Sequence, residues 1–304
     1  MGQFESDEYG VFGGLFLSPE NFKEADIILQ SIPYESATSG KKGTSFAGSA
    51  LRVVSKDMQV VSRTGIDLSS IKVADMGNII INPVDGEQSR INIYNSMKYL
   101  LDNSSAPVIS IGGDHSITFH LLQALTEFGS IGVVWFDAHR DLLDNYLNSK
   151  FSHGSSLRRS VELANINPTN ILLLGTRYFT KEEEKFVQDQ GIKELKQSEL
   201  EQQNNPIKMI SQKIQELASR VDFLYISIDI DGLDPAYAPG TGTPVSGGMS
   251  SSQFMQIINK ITVPIRAFDI VEVSPPLDKS GITVKAMLAI LTEILAQIKV
   301  THNI

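Results

Sequence analysis

The sequence contains no cysteine, which excludes disulfides and thiolate metal sites. Any metal must then be held by carboxylate oxygen and imidazole nitrogen. It also lacks an unbroken apolar run of about 18 residues, the length a membrane-spanning helix needs. The opening MGQFESDEYG lacks the basic and then apolar pattern of a signal peptide. The expectation is a cytoplasmic protein with no membrane partner. Positive charge is scarce: 26 Lys and Arg against 35 Asp and Glu give a net charge of −9 and a pI near 5.1. That balance argues against nucleic-acid binding, which needs clustered cations, and suits a small cationic partner. No linker and no internal repeat divides the 304 residues. One domain over 1–304 is expected, with roughly the first ten residues as a flexible tail.

What is present is an alternation of apolar strands and amphipathic helices. Strand character falls at residues 25–31, 73–82, 107–112, 131–136, 170–175, 223–229 and 265–273. Helical spacing falls at 92–102, from about Ser116 onward, and at 206–220, 251–261 and 283–300. Such alternation implies a parallel sheet covered on both faces. After the first strand comes a loop with Gly40, Gly43 and Gly48, whose spacing matches neither a Rossmann nor a P-loop signature. It reads either as a surface loop leading into a helix or as a loop beside a site at the carboxyl ends of the strands.

The chemistry centres on IGVVWFDAHRD, where an apolar strand ends in Asp137, His139 and Asp141. Residues at spacing two share a strand face, so the three side chains converge if the extended geometry persists. SIDID repeats the device with Ser227, Asp229 and Asp231; His115 lies just past a third strand end and Glu272 within a fourth. Corresponding strand ends of an open α/β sheet border one crevice. Four aspartates gathered there without a cation would repel strongly, and burial of an ionised, unpaired carboxylate is costly. Two divalent ions balance Asp137, Asp141, Asp229 and Asp231, with His115 and His139 as neutral ligands, and the hard donors suit Mn²⁺, with Fe²⁺, Co²⁺ and Ni²⁺ as alternatives by ligand type.

Together the motifs GGDH (112–115), DAHRD (137–141), SIDIDGLDP (227–235), PGTGTP (239–244) and EVSP (272–275) resemble those of the ureohydrolase family of arginases and agmatinases. The resemblance implies a three-layer α/β/α fold around a mainly parallel eight-stranded sheet, a binuclear manganese centre, and a homotrimer or homohexamer. It implies that His115, Asp137, Asp141 and Asp229 hold one ion and Asp137, His139, Asp229 and Asp231 the other. The implied reaction is hydrolysis of a guanidinium to urea and an amine by a hydroxide bridging the ions. Asp141 would relay a proton, Glu272 would pair with the guanidinium, and His153, in FSHG, matches a family histidine that shuttles protons. Thr243 would touch substrate from the Gly-rich turn.

Arginases hold the amino-acid head group partly through an amide residue two positions after DAHxD, where this chain has Leu142, Leu143 and Asp144. A decarboxylated substrate is therefore favoured, agmatine first, with Asp144 facing its far ammonium. N1-aminopropylagmatine, guanidinobutyrate and arginine are the alternatives within the class. Outside it stand a one-zinc hydrolase of deacetylase architecture and a catalytically silent binding subunit. Arg140 departs from the small or neutral residue common at its position; strand alternation points it away from the metals, towards a structural ion pair. The acidic run Glu182 to Glu184 reads as a solvated face, and His120 and His302 receive no role.

Overall fold

The computed structural model describes residues 3–10, 12–13 and 15–304. Its strands are β1 (Phe4–Glu5), β2 (Phe16–Leu17), β3 (Ile27–Ser31), β4 (Val73–Ile79), β5 (Val108–Ile111), β6 (Ile131–Phe136), β7 (Ile171–Leu174), β8 (Lys193–Leu195), β9 (Phe223–Asp229) and β10 (Ala267–Val271). They form one sheet in the order β1-β4-β3-β5-β10-β9-β6-β7-β8, with β2 beside β4. Only β1 runs antiparallel to its neighbour. The expected eight strands correspond to β3–β10; two short strands near the N-terminus extend the sheet to ten among the described residues. The edge strand β8 (KEL) is too short and polar to announce itself by periodicity.

Side-chain alternation sorts the apolar residues into two cores. Val134, Phe136, Leu224, Ile226, Phe268 and Ile270 face the helices Ala47–Ser55, Pro206–Ala218, Ser251–Ile258 and Ile282–His302. Val133, Trp135, Tyr225, Ala267 and Val271 face the helices Gly86–Asn103 and Ile117–Leu125. The result is the three-layer α/β/α arrangement. Helix Gly86–Asn103 begins earlier than its apolar spacing suggests, because Asp85 caps it by accepting from Gln88 N–H. No helix among the described residues is long and apolar enough to cross a membrane.

Of the expected tail, Met1 and Gly2 lie outside the described residues, and Phe4 to Asp7 are tied down rather than loose. Phe4 and Glu5 pair with Ile79 and Asn78, and Asp7 is buried against Arg52 at 3.0 Å. A buried guanidinium demands carboxylate partners, and Arg52 takes this one from a segment whose composition reads as solvated.

His120 lies buried on helix Ile117–Leu125, with the Phe119 ring edge-on and Phe151 beside it. Burial, assisted by the nearby Arg90 charge, holds the imidazole down at about 3. The unfolded chain therefore binds a proton below about pH 6.5 that the folded chain refuses, and stability falls as pH drops from there towards 3. By pH 5 this group alone is expected to remove about 2 kcal/mol relative to pH 7.5. Denaturant titrations of the wild type and a His120→Gln variant at both pH values check this: the variant should lose less stability on acidification, and equal losses would exclude the assignment.

Candidate metal centre

The side chains at issue come from the four adjacent strands β5, β10, β9 and β6. Beyond β5, His115 lies at the bottom of the crevice. Its Nδ1 is 3.2 Å from Asp137 Oδ2, 3.1 Å from Asp141 Oδ2 and 3.2 Å from Asp229 Oδ2. Next to this group, His139 Nδ1 lies 3.4 Å from Asp137 Oδ1 and 3.1 Å from Asp231 Oδ2. Asp137 thus belongs to both groups and turns one oxygen to each. Asp229 is the exception to the expected symmetry. Its Oδ2 faces the first group, while its Oδ1 accepts from Asp231 N–H at 2.8 Å in the turn after β9.

The positions are fixed by neighbours that sequence patterning does not mark. Trp135 stacks on the His115 ring at 4.0 Å between centroids, and its indole N–H donates to Asp137 Oδ2 at 2.9 Å. Ser227 Oγ lies 2.8 Å from His115 Nε2 and donates its own proton to Asp269 Oδ1 at 2.7 Å. Since the hydroxyl's one proton is engaged, it accepts from Nε2–H, and Nδ1 faces the carboxylates; burial opposes a proton there, but Asp137, Asp141 and Asp229 raise the ring well above the ordinary imidazole range. Asp269 is buried and also accepts from Thr118 and Tyr225. The signal for it was a lone acid in the apolar strand AFDIV, beside SIDID.

The donor set fits divalent ions. His115 Nδ1 is buried and has no aligned hydrogen-bond partner although three carboxylate oxygens surround it, the arrangement of ligand atoms around a common centre. The electrostatics agree. Burial and the charge of Asp137 push Asp141 up to about 6, and burial with Asp231 and Asp137 drives Asp229 well above the carboxylate range. Burial opposes a proton on His139, yet Asp231 and Asp137 override it and hold the ring up to about 12. Lacking cations, the cluster gathers protons, which divalent ions would displace.

Asp141 and Glu272 both adopt left-handed backbone, with φ of 53° and 60°. Such strain in non-glycine residues is concentrated at functional sites. Glu272 Oε1 accepts from His115 N–H at 3.0 Å and lies 3.1 Å from His153 Nδ1. Its Oε2 is buried without a partner. Burial favours a neutral His153, but Glu272 outweighs it and raises the imidazole to about 9. The other ring nitrogen lies 2.7 Å from Ser39 Oγ and 3.1 Å from Ser39 N. The Gly-rich loop is therefore a site loop: Ala37 N–H donates to Asp114 while Ser39 reaches the cavity.

A cavity of about 570 Å³ opens above, bordered by Asp141, Asp229, His139, His153 and Thr243, with Tyr146, Tyr178, Phe179 and Glu183 on its outer walls. Thr243 Oγ1 lies 3.3 Å from Asp231 Oδ2. Two expectations are corrected. Asp144 does not border the cavity; its carboxylate is half-exposed and bound by Arg159 at 2.6 Å. The run 182–184 is not a uniform solvated face, because Glu183 is 4% exposed. It caps helix Lys181–Gln190 with Thr180 and accepts from Leu142 N–H. Glu183 is thus a further acidic residue on the cavity wall besides Asp141 and Asp229, brought there by the start of helix Lys181–Gln190. Arg140 does form a buried ion pair, with Glu194 and Glu184.

A parallel α/β sheet with a cation-seeking Asp and His cluster at its carboxyl edge defines a metal-dependent hydrolase class. Within it, this chain belongs to the arginase family, whose model matches residues 25–296, a family of binuclear metal-dependent hydrolases. The chain is 32% identical over 289 residues to the agmatinase of Bacillus subtilis, covering 93% of this chain and 96% of that one. It is also 32% identical over 291 residues to the mitochondrial guanidino acid hydrolase of Homo sapiens, covering 93% and 81%. Among solved structures it resembles the agmatine ureohydrolase of Thermoplasma volcanium, with a TM-score of 0.82, 26% identity, and coverage of 93% and 92%.

Proposed function

We propose that the protein hydrolyses agmatine to urea and putrescine with two Mn²⁺ ions. His115, Asp137, Asp141 and Asp229 would hold one ion, and Asp137, His139, Asp229 and Asp231 the other. When bound, the ions supply Lewis acidity that makes water nucleophilic near neutral pH. Glu272 offers Oε2 to the planar guanidinium, whose donor fork matches a carboxylate, and orients its carbon for attack. As the C–O bond forms and the C–N bond breaks, Asp141 takes a proton at its carboxylate oxygen and passes it to the leaving nitrogen. His153, charged through Glu272, is placed beside the cavity to supply a proton to the departing amine.

The observation that carries the substrate assignment is the cavity wall. Among the described residues lining it there is no Lys or Arg, while Glu183 and Asp141 contribute carboxylates and Tyr146, Tyr178 and Phe179 contribute rings. A guanidino acid would find no Lys or Arg for its carboxylate, whereas a distal ammonium meets the Glu183 charge and aromatic faces. With Mn²⁺ bound, urea release from agmatine is expected to exceed release from guanidinobutyrate, N1-aminopropylagmatine or arginine. A guanidino acid turned over best would reverse the substrate assignment, and no urea from any of the four would remove the reaction class.

A further inference from the structure

We propose that Arg140 is a positioning residue for substrate discrimination: it locks the outer cavity wall, Tyr178 to Glu183, onto the loop that carries His139 and Asp141. This rests on reading the cavity as a guanidino-substrate site. The side chain of Arg140 is fully buried on the face of the loop opposite the metal-facing residues. Its Nε and Nη2 grip the two oxygens of Glu194 at 2.7 Å each, and Nη2 also reaches Glu184. Its guanidinium plane lies 3.6 Å from the Phe179 ring centre, and Lys196 Nζ stands 5.2 Å from the same ring. One residue thereby ties the metal-ligand loop to edge strand β8, to helix Lys181–Gln190 and to an aromatic side chain of the cavity.

The remaining ties between loop and wall lie at its two ends, where the His139 and Tyr178 rings also meet edge-on at 5.6 Å. Arg177 and Tyr178 N–H donate to Ala138 O at 2.8 and 3.0 Å, and Leu142 N–H donates to Glu183 Oε1 at 3.2 Å. They hold the two ends of the wall. Phe179, between them, is part-exposed, and the Arg140 guanidinium packs closer to its ring than Lys196 does. Stability alone does not account for such a residue. A buried ion pair is often replaceable by apolar side chains without loss, and Arg140 Nη1 is buried with no hydrogen-bond partner. Placement does account for it, because a planar fork fixes direction where a flexible ammonium would not.

In Arg140→Met the metal-facing side chains stay in place while Phe179 and its neighbours lose their anchor. With the best guanidino substrate of the wild type, KM is expected to rise about tenfold with kcat within about threefold. The kcat/KM ratio between the best and next-best compound should shrink by about tenfold. Amide hydrogen exchange should accelerate in residues 177–184 and stay unchanged in Ile131–Phe136. Glu184→Gln, on the part-exposed side of the pair, is expected to raise KM by about threefold in the same sense and serves if Arg140→Met does not fold. Wild-type KM, discrimination and exchange in the folded variants overturn the proposal, as does a fall in kcat at unchanged KM. Should the wild type cleave no guanidino compound, the functional reading fails separately and the exchange comparison still decides the role of Arg140.

Discussion

Asp137→Asn is expected to empty both halves of the metal centre while leaving the fold intact. Asp137 belongs to both groups of facing ligand atoms among the described residues, and its oxygens lie 3.2 and 3.4 Å from the two histidines. Asparagine keeps the shape but removes the charge and replaces one acceptor with a donor. The amide would then repel one of the ions that the carboxylate attracts. Loss of an outer partner of a metal ligand typically reduces affinity or activity by about 10 to 100-fold. Loss of a shared ligand should exceed that, so urea production is expected to fall more than about 100-fold. Metal analysis of the purified chain is the decisive measurement, with cooperative unfolding as the control for folding. Two ions per chain at wild-type affinity would rule out the shared role.

The largest effect on stability is expected from Arg52→Met. The Arg52 side chain, 1% exposed, donates to Asp75 from Nε at 2.8 Å and from Nη2 at 2.7 Å. Through Nη1 it also reaches Asp7 at 3.0 Å and Asn78 at 2.8 Å. Removing the cation leaves Asp75 and Asp7 facing each other in the interior, and breaking a buried pair from one side costs about 3–5 kcal/mol. For a chain of this size that corresponds to a fall in Tm of about 10 °C. The short strand at Phe4–Glu5 should loosen with it, because Asp7 is held by the same guanidinium. Calorimetry of the variant tests this. A Tm within about 2 °C of wild type would mean that the carboxylates find other partners or take up protons at little cost.

Both variants lie in stretches of very different legibility. The ligand set around Asp137 could be read from the chain because acids and histidines cluster where two apolar strands end, and parallel α/β order brings those ends together. The extended alternation itself does not persist: β6 ends at Phe136, Asp141 turns left-handed and Asp231 lies in the turn Ile230–Gly232, so these turns aim the ligands. The interior role of Asp7 could not be read, because nothing local distinguishes it from the solvated acids around it. Its environment is set by a guanidinium 45 residues away in sequence.

By itself, then, the sequence determined the α/β/α layering, the strands of the central sheet and the identities of the side chains that converge at their ends, since all three follow from short-range periodicity and charge. Tertiary structure alone decided the rest. It turned one oxygen of Asp229 into a turn, set Asp269 behind Ser227 to aim His115, and gave Asp144 to Arg159. Through the cap of one helix it brought Glu183 to the cavity wall. A long or mobile side chain beyond the end of a regular element has no period to follow, so its direction depends on which distant partner claims it.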